Sequence, residues 1–404
     1  MHATRRAALL AALVFMLFVL AGHPAEAAHE AARLPEAEEG PEGPPWMKRV
    51  RLTGIFEGDF VWREHGDVAE KGSESSSDLL VSTVELGVEA DFVDWIQGFA
   101  LLLAEDLGTE EAAGVTFDEV ILTLDFPRTP FYATMGKRAL PFGVFENPLV
   151  SDPMTQDAYE VNQVGLTAGY TGPWHLDLSF TAYKGEELMD HLFDSGLLDT
   201  GRIRRAGDGS DAVESFIASA MLSPLKEHVI LFGGFLSEPG SDRRNQTVDV
   251  GASLIPPDVP LLGNLKLDAE YMKALSRETY AGLDGQFREG VLSVTLSYRF
   301  ILREIRSIGS SLYRERREFI LTQPVVLAVR YEHFDDDGLV EAARAWAVRD
   351  RMSAGGHYSF YEDGSISAYV EAEYRMTGIK VHPSLRDAVE DENRELFLRL
   401  GLTF

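Results

Sequence analysis

The sequence predicts an all-β protein: a transmembrane, antiparallel, up-and-down β-barrel of about sixteen strands. One observation is the alternation of apolar and other side chains in many segments, which is typical of strands with one apolar face. A second is the alternation of long and short connections between these segments, which transmembrane barrels share. A third is an N-terminal export signal, after which no apolar stretch is long enough to span a bilayer as a helix.

The N-terminal residues predict a signal peptide over 1–27. Arg5 and Arg6 precede an uncharged, apolar run over 7–22, and Ala25-Glu26-Ala27 fits a cleavage site. A membrane anchor is the alternative, but the run is short for a spanning helix, which needs about 20 residues. Residues 28–47 are rich in Ala, Glu, Pro and Gly, which predicts a disordered acidic leader, too short for a plug domain. The barrel is predicted over 48–404.

The strand-like segments follow from position 50 onwards. Their polar faces suit a water-filled lumen, and their apolar faces suit lipid. A soluble β-sandwich has the same period, so periodicity alone does not decide between the two folds. The segments cover 50–62, 80–90, 95–105, 116–126, 131–138, 163–171, 174–183, 213–222, 227–236, 247–254, 264–274, 288–300, 319–334, 344–361, 365–376 and 394–404.

The last segment is the predicted closing strand of the barrel. Its apolar residues share one face, and the opposite face carries mostly small or polar residues. We expect it to pair with the first strand, around 50–62. The apolar set is Leu396, Leu398, Leu400, Leu402 and Phe404.

The connections decide in favour of a barrel. Long outer loops are predicted at 64–77, 107–114, 139–162, 184–212 and 377–393, and short turns lie between them. A sandwich has no reason to alternate in this way. Two predicted periplasmic turns are longer: 255–263, and 302–317, which is rich in arginine. The second is either a basic turn or two short strands.

Composition excludes several classes of function. The chain has no cysteine, so it has no disulfide, thiolate metal site or cysteine nucleophile. Its formal net charge of -28 argues against a nucleic-acid partner. The histidines are scattered, and no serine and histidine are predicted to converge. We therefore expect no enzyme activity, no bound metal and no cofactor.

Acidic residues on the polar strand faces are candidates for the lumen wall. Because they would line a water-filled channel, they predict a preference for cations. These residues are Glu57, Asp59, Glu85, Glu89 and Glu119.

The third outer loop is the predicted constriction. Its prolines and glycines fix the course of the backbone, so we expect it to fold into the lumen and narrow it. The alternative is a loop that only caps the rim. The candidate residues for solute contact are Lys137, Arg138, Phe142, Phe145, Glu146, Asp152 and Asp157.

Three segments resemble a known family, the siderophore porins of the LbtU type. They are 82–90, 136–146 and 151–155. The resemblance implies a barrel in the outer membrane of a Gram-negative bacterium that takes up ferric siderophores without a plug or direct energy coupling. It also implies contact with outer-membrane lipid and lipopolysaccharide, and insertion by the barrel assembly machinery through the strand that ends at Phe404. A homotrimer is left open.

Two alternatives to siderophore uptake remain at this point. One is a general diffusion porin with cation preference for small solutes. The other is a structural barrel that does not conduct.

Overall fold

A computed structural model describes residues 49–65, 67–107, 114–207, 209–256, 264–308, 317–363 and 366–404, without the side chains of 227, 301–308, 317–323 and 363. The predicted signal peptide (1–27) and leader (28–47) lie outside the described residues and stay predictions. None of the helices in the described part is long and apolar enough to cross a membrane.

The strands form one closed antiparallel barrel in which each strand pairs with its neighbours in sequence. All sixteen predicted strands are present, and most ends agree within a few residues. The strands are β1 (Val50–Arg63), β2 (Ser76–Val93), β3 (Ile96–Leu107), β4 (Val115–Asp125), β5 (Phe131–Ala139), β6 (Asn162–Gly172), β7 (Leu176–Tyr183), β8 (Ser215–Leu222), β9 (Val229–Glu238), β10 (Asn245–Leu254), β11 (Leu265–Ser276), β12 (Gly290–Ile308), β13 (Arg317–Asp335), β14 (Trp346–Asp363), β15 (Ile366–Val381) and β16 (Glu392–Thr403).

The barrel closes where the last strand meets the first. Phe60 of β1 lies opposite Leu398 of β16, and Asp59 lies opposite Arg399. Because directly opposed residues share a face, this register puts the two charged residues on one side and the two apolar residues on the other. The predicted closing strand is therefore confirmed.

The outer surface of the barrel is apolar, and the inner surface is polar. Leu400 is 59 % exposed, as expected for a side chain that points to lipid, whereas its neighbour Arg399 points inward to Asp59. The same alternation recurs in β13, where Val329 and Tyr331 are exposed and Arg330 and Glu332 are buried. This arrangement is that of a membrane barrel with a polar lumen.

Of the two alternatives for 302–317, a basic turn or two short strands, the structure contradicts the turn over 302–308 and favours strand there. Residues 302–308 are not part of a turn, because β12 runs to Ile308 and β13 begins at Arg317, with these two residues paired. The backbone pairing between two strands continues irrespective of arginine side chains, so a basic stretch is not by itself a turn signal. Residues 309–316 lie outside the described part of the chain.

Within the described residues, three short α-helices lie in long connections: α1 (Met154–Tyr159), α2 (Glu187–Asp194) and α3 (Leu339–Ala343). Their apolar residues pack together with inward-facing residues of the strands and form the main hydrophobic core. The core includes Met154, Leu188 and Val340 of the helices, together with Leu236 and Met272 of the strands. Packing of this kind holds long connections against the inside of the wall rather than leaving them free.

Candidate functional site

The connection between β5 and β6, here called loop 3 (residues 140–161), lies against the inside of the barrel wall. Ser151 donates two hydrogen bonds to Glu373 of β15, from its amide (2.7 Å) and its hydroxyl (2.6 Å). At the opposite edge, the Phe142 ring lies against Gly234 of β9. These partners face the lumen, so loop 3 crosses a large part of the interior instead of capping the rim.

The course of loop 3 follows from its own residues. Gly143 has a φ of 87°, a conformation that glycine adopts without strain. The next amide, on Val144, donates to the Glu270 carboxylate of β11 at 2.8 Å. Further along, the Asn147 side chain accepts a hydrogen bond from the amide of Leu149 and donates one to the carbonyl of Ser151. Gly143 thus allows the backbone to turn, the Asn147 side chain bridges two backbone groups of loop 3, and Glu270 of the wall binds the loop.

Arg330 of β13 is the centre of this attachment. Its side chain is fully buried, and its guanidinium donates to the Asn147 side chain (3.0 Å) and to the carbonyls of Ser151 (2.7 Å) and Asp152 (3.0 Å). Glu332 forms an ion pair with the Arg330 guanidinium at 3.2 Å, and it accepts a hydrogen bond from the backbone amide of Met154 at 2.5 Å. A buried arginine with these partners is a fixed anchor rather than a free charge.

Arginines on the neighbouring strands are also paired. Arg351 of β14 donates to Asp157 of loop 3 at 2.6 Å, and Arg375 of β15 pairs with Glu395 at 2.5 Å. Asp157, a predicted candidate for solute contact, is therefore the partner of Arg351, which compensates its charge.

Two predicted lumen residues are paired in the same way. Arg399 donates two hydrogen bonds of 2.8 Å to Asp59, and it lies 3.1 Å from Glu57. The hydroxyl group of Tyr369 also donates a hydrogen bond to Glu57. The Tyr369 ring lies against Gly401, where the Cβ of any other residue would collide with the ring. Glu57 and Asp59 face inward, and Arg399 compensates their charge in an ion-pair network, so they contribute less to a preference for cations than unpaired acids would.

The adjoining wall, formed by β2–β4 on the other side of β1, differs because the charged neighbours of its acids are mostly other acids. Glu85 of β2 and Glu119 of β4 lie on the inward face, and the charged groups that act most strongly on Glu85 in the described structure are all acidic. Glu105 of β3 is exposed and lies within electrostatic range of Glu160 in loop 3. Glu85, Glu105, Glu119 and Glu160 are called the acidic strip below. Glu89 is on the same face of β2.

Asp152 of loop 3 is exposed to solvent inside the barrel, but protein atoms surround most of its carboxylate. Enclosure by surrounding protein raises the pKa of Asp152 to about 6, and the negative charges of Asp157 and Glu160 act in the same direction. Arg330 acts in the opposite direction but does not offset them. Glu146 is also partly exposed, but it pairs with Lys266 at 2.7 Å.

Three other predicted residues have different places from those expected. Lys137 lies in β5, opposite the outward-facing Val120 and Val164, so it is on the outside of the barrel and not in the constriction. Phe142 is fully buried in the hydrophobic core, and Phe145 packs against that core, so these aromatic residues support loop 3. Arg138 does face inward and donates to Thr167 at 3.1 Å.

The residues that attach loop 3 were not singled out from the sequence. They are Arg330, Glu332 and Glu373, charged residues at alternating positions of β13 and β15. Their position on the polar face was a usable signal, but their partners lie far away along the chain. Within the described residues, no group of three or more His, Asp or Glu side chains is placed to hold a metal ion.

Comparisons with known proteins identify the fold. No known family matches the sequence, and no curated protein does. Among solved structures, the chain is similar to the outer-membrane channel DcaP of Acinetobacter baumannii, with 13 % identity, 88 % of this chain and 97 % of that chain covered, and a TM-score of 0.56.

Two further solved structures are porins. OmpF of Salmonella typhi, in a complex with daunomycin, has 12 % identity, covers 88 % of this chain and 97 % of that chain, and gives a TM-score of 0.56. An anion-selective porin from Comamonas acidovorans has 10 % identity, 88 % and 98 % coverage, and a TM-score of 0.53. With its apolar outer face, the chain is an outer-membrane β-barrel with the porin fold of Gram-negative bacteria.

Proposed function

We propose that this chain is a diffusion channel of the outer membrane that prefers cations. The observation that carries the proposal is the unequal compensation of charge inside the barrel. Arg330, Arg351, Arg375 and Arg399 of β13–β16 are paired with carboxylates. In the acidic strip, the charged groups that act most strongly on Glu85 and Glu105 are all acids, Glu160 among them, and Glu119 has the acid Asp118 as well as the cation Arg138 nearby.

The acidic strip combines three residues of the wall with one residue of loop 3. Glu85, Glu105 and Glu119 belong to the wall, and Glu160 belongs to loop 3, which lies inside the barrel. Rings of carboxylates attract cations and repel anions at close range. The barrel fold is shared with a porin described as anion-selective, so the side chains of the lumen, and not the fold, must determine the preference.

The reversal potential in a planar bilayer tests this proposal. Purified protein is inserted between two KCl solutions of different concentration, and the voltage at zero current is measured. We expect a steady conductance with the sign of a cation-preferring channel. Neutralising Glu214, an exposed residue before β8, as Glu214→Gln is the control and should leave the sign and size unchanged. Anion preference, or a barrel that does not conduct, contradicts the proposal.

Uptake of ferric siderophores is a narrower candidate that rests on the resemblance of 82–90, 136–146 and 151–155. In the structure, many residues of these segments have folding roles. Gly143 turns the backbone, Phe142 and Met154 are buried in the core, and Ser151 bonds to Glu373. These contacts account for the residues without a ligand, so the siderophore prediction gains no site from them.

Uptake of labelled ferric siderophore in a deletion strain without redundant receptors tests this candidate. Reduced uptake that is restored by the intact gene supports it, and unchanged uptake contradicts it. The homotrimer also stays a prediction. Sedimentation of the detergent-solubilised protein distinguishes a trimer from a monomer.

A further inference from the structure

A small cavity lies between loop 3 and the wall formed by β11 and β12. Its volume is about 20 Å³, enough for one water molecule or one ion of similar size. Loop 3 forms one side, and carboxylates of β11 and hydroxyl groups of β12 form the other. The lining that matters here consists of Phe145, Glu146, Thr155, Phe232, Asp268 and Glu270.

The carboxylates around this cavity outnumber their cationic partners. Lys266 pairs with Glu146 at 2.7 Å and with Asp268 at 3.2 Å. Glu270 accepts the amide of Val144, and it has no ion pair among the described residues. Asp249, on the neighbouring strand β10, is buried, and one of its carboxylate oxygens has no hydrogen-bond partner in the described structure. Such buried negative charge is unfavourable unless a cation or protons accompany it.

A second observation comes from the side chain of Thr155. Its side chain is fully buried and lines the cavity. The hydroxyl group is close to Glu270, but its oxygen makes no hydrogen bond of ordinary geometry within the described part of the chain. Buried hydroxyl groups normally have a partner. The oxygen is thus available to a donor that enters the cavity.

We propose that this cavity binds the primary ammonium group of an amine that passes through the channel; the proposal rests on the proposed function, which brings the amine to the site. An ammonium group has three donors and no acceptor, which matches carboxylate and hydroxyl oxygens. The rings of Phe145 and Phe232 also line the cavity, and aromatic rings can stabilise a nearby cation. The partial exposure of Glu146 and Lys266 gives the group access from the lumen.

The cavity is large enough for the ammonium group of an amine but not for the whole molecule. It has room for one group of the size of water, so the remainder of the amine stays in the passage beside loop 3. Bound in this way, the solute obstructs the current for as long as it stays. The expected signature is therefore transient block of single-channel current by amines.

Butylamine, in its charged form at neutral pH, is the probe. Single-channel currents in KCl are recorded while butylamine is added, with butanol as the uncharged comparison. The wild-type channel should show concentration-dependent interruptions with butylamine and none with butanol. Glu270→Gln should weaken the apparent affinity by about tenfold or more, because it removes a charge-assisted hydrogen bond. Thr155→Val should weaken it less, and Glu214→Gln should leave it unchanged.

Two results overturn the proposal. If butylamine causes no interruptions in the wild-type channel, the cavity holds water or protons only. If the interruptions persist unchanged in both Glu270→Gln and Thr155→Val, the amine binds elsewhere. Insertion and open-channel conductance are measured first, so that an unfolded variant is recognised, and Thr155→Val removes only one polar atom. The reversal potential of the wild-type channel is recorded separately, so retained cation preference without block overturns the amine site and not the channel.

Discussion

Replacing Arg330 by alanine should release loop 3 from the barrel wall. In the structure this guanidinium contacts Asn147, Ser151 and Asp152 of the loop and forms an ion pair with Glu332. Removing one partner of a buried ion pair typically costs about 3–5 kcal/mol. We expect the lower end, about 3 kcal/mol, because Glu332 keeps its hydrogen bond from the amide of Met154 at 2.5 Å.

Hydrogen exchange of loop 3 measures this loss directly. A change of about 3 kcal/mol in local opening corresponds to exchange faster by roughly a hundredfold. Mass spectrometry of peptides from 140–161 should show this in Arg330→Ala, and single-channel currents should become noisier. Arg128→Ala is the matched control, because Arg128 is an exposed arginine in the turn between β4 and β5.

The reasoning is refuted by exchange that is unchanged in 140–161 while the barrel inserts and conducts. In that case the remaining contacts, such as those of Ser151 with Glu373, hold the loop alone. If hydrogen exchange in 140–161 is accelerated to the same extent in the Arg128→Ala control, the effect is not specific to Arg330.

Three further predictions concern the passage, the lipid face and the barrel closure. Because the pKa of Asp152 is about 6, lowering the pH through that value protonates it, and the wild-type channel should lose more cation preference in reversal-potential measurements than Asp152→Asn; identical pH profiles would contradict this. Leu400→Lys should lower the free energy of unfolding in lipid vesicles by about 2–4 kcal/mol, and a change as small as that of the loop control Val213→Lys, within about 0.5 kcal/mol, would argue against a lipid-facing Leu400. Gly401→Val should displace the Tyr369 ring and destabilise the barrel by about 1–3 kcal/mol. The loss is measured as a lower temperature at which the compact form disappears on gels. An unaltered temperature would show that the ring can move aside without cost.

The barrel could be predicted from the sequence because each strand is recognised from the alternation of its own residues. Leu398, Leu400 and Leu402 alternate with residues of a different class, and this period is all that a strand with one lipid face requires. The local signal was ambiguous at 302–308, where the arginine-rich sequence left a turn and strands both open and only the pairing of β12 to Ile308 decides for strand.

The site was harder to predict, because it depends on pairs distant in sequence. Asp59 looks like a free lumen acid until Arg399 is placed beside it by barrel closure. Lys137 follows a glycine and precedes the predicted loop, yet the pairing of β5 puts it on the outer face. Asp157 likewise finds Arg351 only because loop 3 folds inward. Residue type gave the charges, but only the fold decides which of them are compensated.

The most direct test of the central claim compares the reversal potential of the wild-type channel with that of Glu85→Gln/Glu105→Gln/Glu119→Gln in the same KCl gradient. These three residues are the wall part of the acidic strip. We expect a clear cation preference in the wild-type channel that shrinks strongly in the triple variant, with the conductance retained. An unchanged reversal potential in the triple variant, or a wild-type channel that prefers anions, would contradict it.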